Sequence, residues 1–76
     1  MFKVPPYSQD DFLRVCRRFG LEIIMHGGKG SHVKVKNLRT GTFIIVPRKI
    51  KKGLDVRLIK DLERWGFDRE EIVEMF

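Results

Sequence analysis

Early in the chain, apolar residues recur at spacings of four and three: Phe12, Cys16 and Phe19. This is the stripe of an amphipathic helix. The stretch before it is well punctuated. Pro5 and Pro6 end an N-terminal tail, and Ser8 with Asp11 forms a Ser-x-x-Asp capping pattern. Tyr7 and Phe12 stand where a hydrophobic staple sits, just before the cap and at the fourth helical position. Asp10 and Asp11 near the start, and Arg17 and Arg18 near the end, complement the helix macrodipole. Gly20 is the expected stop. Cys16 lies in the buried stripe, so it reads as a small core residue rather than a reactive thiol.

The pattern then changes period. Residues 21–25 form a short apolar run rich in isoleucine, read as a first strand. Residues 32–37 alternate, with His32, Lys34 and Lys36 on one side and Val33 and Val35 on the other. A strand has a side-chain period of two, so the histidine shares a face with two lysines while the valines face the core. A polar turn over 38–41 leads to a third strand at 42–46, which Pro47 closes because proline cannot donate to a sheet ladder. Connections this short favour an antiparallel meander.

The remainder is helical. Leu58, Ile59, Leu62 and Trp65 recur at helical spacing, with Asp55 as the expected N-cap and Gly66 as the stop. A last short helix over 69–75 repeats the first helix's device. Asp68 caps it, Glu71 closes the box, and Phe67 and Ile72 form the staple. The expected fold is α+β, in the order α-β-β-β-α-α, with a three-stranded antiparallel sheet and helices on one face.

Length makes residues 1–76 one small domain, near the size where a hydrophobic core becomes marginal. The 42% hydrophobic content is enough for a packed core. A single cysteine rules out an internal disulfide, which fits a reducing compartment. No stretch reads as a signal peptide or a membrane span, so a soluble, cytoplasmic protein is expected.

Charge sharpens the picture. The chain carries a net +6. Residues 1–60 hold 14 Lys/Arg against 4 Asp/Glu, a balance of +10, and residues 61–76 hold 2 against 6, a balance of −4. A basic body with an acidic end points to a polyanion on one surface, although charge-rich surfaces also occur for solvation and stability alone.

Many of the cations flank Gly27-Gly28-Lys29-Gly30-Ser31-His32. Three glycines in four positions mark a backbone that must turn sharply or approach something closely. A second basic run, Arg48-Lys49-Ile50-Lys51-Lys52, precedes Gly53. A titratable imidazole beside lysines, at the mouth of a glycine loop, suits a phosphodiester. For an RNA substrate, which the family resemblance given below implies, the 2′-hydroxyl is the nucleophile, so a general base and electrostatic stabilisation of the phosphorane suffice without metal. Lys29, Lys34, Lys36 and Lys49 are candidates for that stabilisation, and loop amides at Gly28, Gly30 and Ser31 for holding phosphate oxygens. Two histidines, one cysteine and scattered carboxylates make no metal-ligand set. His26 reads as a surface histidine at a strand end. For His32 the residues alone leave two roles open, a proton carrier and a solvated strand histidine.

In its ordered features the chain resembles the HicA (YcfA-like) toxins, small ribonucleases of toxin–antitoxin pairs with a double-stranded-RNA-binding-domain-like (dsRBD-like) fold. The resemblance covers nearly the whole chain. It rests on the capped first helix ending Phe19-Gly20, Lys29-Gly30-Ser31-His32, and Val46-Pro47 at the end of the third strand. Lys51-Lys52-Gly53 before the second helix, Gly66, and Glu70-Glu71 in the last helix complete it. The chain departs from the family in reading Arg48-Lys49 where many relatives carry a further histidine, and in a second helix about a turn longer.

The resemblance implies an mRNA interferase, an endoribonuclease with His32 as the catalytic general acid/base and no cofactor. It also implies a HicB-like antitoxin protein as partner. The RNA-binding set is Lys29, Gly30, Ser31, Lys34, Lys36, Arg48, Lys49, Lys51 and Lys52. Two further readings stand beside it: a non-catalytic RNA-binding module of the same element order, gripping phosphates and 2′-hydroxyls across minor grooves, and an interaction protein that pairs with an acidic partner.

Overall fold

In the computed structural model, which describes residues 6–25 and 32–76, the first helix, α1, spans Gln9–Arg18. Its start is the expected capping box. Ser8 Oγ accepts from the Asp11 amide at 3.2 Å, and the Asp11 carboxylate accepts from the Ser8 amide at 3.1 Å. Hydrogen bonding from the Ser8 amide, and then from its hydroxyl, holds the Asp11 carboxyl below its ordinary pKa, with the nearby Arg14 adding to the effect. The staple also forms, Tyr7 stacking on Phe12 with ring centroids 5.8 Å apart. At the other end Gly20 takes a φ of 77°, the left-handed conformation that lets the chain leave the helix for the sheet.

Strands β1 (Glu22–Met25), β2 (His32–Lys36) and β3 (Phe43–Pro47) form one antiparallel sheet in the order β1-β2-β3. Ile23 faces Val35, and Met25 faces Val33 across β1 and β2; Val33 faces Val46, and Val35 faces Ile44 across β2 and β3. Val33, Val35 and Val46 are fully buried. They meet Phe12, Leu13 and Cys16 of α1 and Leu58, Ile59 and Leu62 of α2 in a single core. Helix α2 spans Leu54–Arg64 and α3 spans Arg69–Glu74. The architecture is thus α+β in the order α-β-β-β-α-α, with helices packed on one sheet face and no helix among the described residues on the other.

The start of β1, the end of β2, both ends of β3 and the end of α3 each move by one residue from the sequence reading, and two boundary residues take other roles. Asp55 is not the N-cap of α2: Gly53 holds that position with φ 98°. The backbone turns through Lys51, whose carbonyl accepts from the Leu54 amide at 3.0 Å, so the helix begins one residue before Asp55. The Asp55 carboxylate instead accepts from the Gly53 and Val56 amides inside the first turn. Pro47 does not stop short of the sheet either; it pairs with His32 as the last residue of β3. At the head of α3, the Asp68 carboxylate accepts from the Glu71 amide at 3.4 Å, the first half of the expected box.

Aromatic contacts tie the periphery to this core. Phe19 stacks on Phe67 at 4.2 Å, joining the end of α1 to the link between α2 and α3. Tyr7 stacks on Phe76 at 4.5 Å and donates its hydroxyl to the Asp55 carbonyl at 2.5 Å. Burial, with Asp55 nearby, pushes the phenol well above its ordinary pKa. No helix among the described residues is long and apolar enough to cross a membrane.

Candidate functional site on the open sheet face

The open face of the sheet follows from the register. His32, Lys34 and Lys36 have the opposite phase to the buried Val33 and Val35, so all three side chains leave β2 on the side away from the helices. Their cross-strand neighbours share that face: Ile24 and Ile45 beside Lys34, Glu22 and Phe43 beside Lys36, and Pro47 beside His32. His32 is exposed at the first position of β2, and the two lysines are half-buried.

The face is both apolar and cationic. Phe43 is 53% exposed and Ile45 43% exposed. Lys34 Nζ stands 4.3 Å from the centroid of the Phe43 ring, a cation–π contact along the diagonal of the ladder. Sequence reasoning singled out the lysines and missed Phe43 and Ile45. Residues 43–46 are apolar without interruption, so alternation could not say which of them point outward.

Arg48 and Lys49 leave β3 just beyond Pro47, the residue opposite His32, and both are exposed. Arg48 also lines a shallow recess with Ser8, Gln9 and Asp10 at the start of α1. Gln9 fixes that corner by donating its side-chain amide to the Val46 carbonyl at 3.1 Å. Between the cations, Ile50 is half-buried and packs on the core, so the run is anchored by one apolar side chain. Lys51 and Lys52 are exposed in the turn into α2.

Lys29, Gly30 and Ser31 of the expected site, and His26 beside them, lie outside the described residues. The structure therefore brings His32, Lys34 and Lys36 onto one face and sets Arg48 and Lys49 at its end. Among the described residues, no group of three or more His, Cys, Asp or Glu side chains is disposed to hold a metal ion.

No protein-family model, curated protein or solved structure matches the chain. The site is therefore read from its own chemistry: an exposed imidazole, two lysines in register with it and two further cations at the strand end suit a phosphodiester backbone.

Proposed function

We propose that the protein is the toxin of a toxin–antitoxin pair, a HicA-like endoribonuclease that cleaves mRNA in the cytoplasm without metal. The observation that carries this reading is the row His32, Lys34 and Lys36 on the sheet face that no helix among the described residues covers. His32 takes the proton of the ribose 2′-hydroxyl, whose oxygen attacks the adjacent phosphorus. The bond to the 5′-oxygen breaks and that oxygen takes up a proton, leaving a 2′,3′-cyclic phosphate and a 5′-hydroxyl. Lysine ammonium groups offset the charge that builds on the phosphorane oxygens. Arg48, Lys49, Lys51 and Lys52, with Lys29 and the amides of Gly30 and Ser31, hold the flanking backbone. A HicB-like antitoxin silences the enzyme by covering this face.

A second reading is supported by the element order and by the exposed basic run before α2: a dsRBD-like module that binds RNA without cutting it. Labelled RNA incubated with the protein in EDTA separates the two. Cleavage products with cyclic phosphate ends support the ribonuclease, a shifted but intact RNA supports the binding module, and intact unbound RNA overturns both.

A further inference from the structure

The edge of β3 carries a second feature, independent of how His32 is read. Antiparallel ladders alternate hydrogen-bonded and non-bonded pairs, so one bond fixes the phase of the whole strand. The Asn37 amide donates to the Thr42 carbonyl at 2.8 Å. With the register continuing through Val35–Ile44 and Val33–Val46, Thr42, Ile44 and Val46 turn their backbone groups toward β2. Phe43 and Ile45 consequently direct their N–H and C=O away from the sheet, and no strand among the described residues lies on that side. Pro47 has the same outward phase, a position where a missing N–H costs the ladder nothing.

This edge is one wall of a groove of about 560 Å³. The other wall is α2, where Leu54, Arg57, Leu58, Asp61 and Trp65 recur on one helical face. The walls thus combine strand polar groups that face no partner strand among the described residues, apolar surface and cations. Arg64 also lines the groove, with its side chain 81% exposed, and it shares Asp61 at 3.8 Å. Arg57 is exposed and has no ion-pair partner among the described residues.

We propose that this groove takes an extended acidic segment of a protein partner as a fourth strand against β3. The segment's backbone pairs with Phe43 and Ile45, its apolar side chains enter toward Leu54 and Trp65, and its carboxylates meet Arg57 and Arg64. A second copy of this chain is disfavoured, because pairing β3 with β3 brings the lysines and arginines of both copies together. A nucleic-acid strand satisfies the cations but supplies no ladder of alternating amides and carbonyls to the edge.

The test uses the full chain, isotope-labelled for NMR, titrated with a synthetic peptide of about six residues alternating valine and glutamate. A valine–lysine peptide and an oligouridine serve as competitors. The expected result is hydrogen exchange at the Phe43 and Ile45 amides slowed about tenfold or more by the acidic peptide alone. Arg57→Glu combined with Arg64→Glu weakens binding at least about tenfold. Ile45→Pro removes an outward N–H and abolishes the protection at Phe43; if that variant fails to fold, the charge variant decides. Unchanged exchange at Phe43 and Ile45 in saturating acidic peptide overturns the proposal, as does equal binding of the basic peptide. Displacement of the acidic peptide by oligouridine reassigns the groove to nucleic acid, and protection that grows with protein concentration alone reassigns it to a second copy; either result overturns the proposal as well.

Discussion

Lys34 of β2 holds its ammonium 4.3 Å from the centre of the Phe43 ring of β3. The two residues are diagonal neighbours, since Lys34 pairs directly with Ile45 and Phe43 with Lys36. The contact keeps a cation over an exposed aromatic side chain on the face that also bears His32. At a largely exposed site such a contact is worth about 0.5–1 kcal/mol. A double-mutant cycle of Lys34→Met and Phe43→Leu, followed by urea unfolding, is expected to return a coupling of that size. A coupling indistinguishable from zero means that the pair contributes nothing to stability.

His32→Ala is expected to lower RNA cleavage in chelator by about 100-fold or more, the range typical of a lost general acid–base group. The fold should survive, because the side chain is exposed at a strand end. Single-turnover cleavage and a circular dichroism spectrum check the two halves separately. Parental activity in the Ala variant removes His32 from the chemistry.

If the protein binds RNA as proposed, the basic run is expected to make that affinity a steep function of salt. Each neutralised phosphate contact on a single strand contributes about 0.7 to the log–log slope. Replacing Arg48 and Lys49 with glutamine is therefore expected to flatten the slope by roughly 1.4 units. An unchanged slope, measured by fluorescence anisotropy across a salt series, places the phosphate contacts on other residues.

Cys16 is fully buried among Phe12, Leu13 and the sheet, and burial pushes its thiol up to about 12 from an ordinary value of 9.0. Native protein at pH 8 should resist iodoacetamide, and unfolded protein should react at once, as mass spectrometry will show. The folded state holds this proton more tightly than the unfolded chain, so the thiol's contribution to stability is complete below pH 9. It declines as pH rises from about 9 toward 12. Replacing Cys16 with alanine should remove that part of the alkaline loss.

Inhibition by a partner is expected to be competitive. A HicB-like protein that covers His32, Lys34 and Lys36 must exclude RNA from the same groups. Titrating cleavage with the cognate partner should raise the apparent RNA KM without forming a ternary complex. Charge reversal at the exposed Glu70 and Glu74 of the acidic terminal helix should spare cleavage. A saturated complex that still binds RNA with unchanged affinity would falsify occlusion and indicate action from a distance.

Sequence by itself determined whatever depends on neighbours a few residues away. The Ser8–Asp11 box, the Tyr7–Phe12 staple and the stop at Gly20 are all local, and all three form. Strict alternation in 32–36 was likewise sufficient to place His32, Lys34 and Lys36 together, because a pleated strand has only two faces. Contacts between distant segments were another matter. The unbroken apolar run of β3 carries no alternation, so only its pairing with β2 decides that Phe43 and Ile45 face out while Val46 is buried. Asn37, a polar residue just 4% exposed, is buried because the hairpin folds over it: its carbonyl receives the Gly41 amide and its side chain receives the Arg39 amide. Gly53 rather than Asp55 caps α2 because the path from the sheet requires a positive φ where the helix begins. The direction of the β3 edge, and with it the groove against α2, was decided by hydrogen bonding between strands, since the backbone presents identical groups at every position until a partner strand fixes the phase.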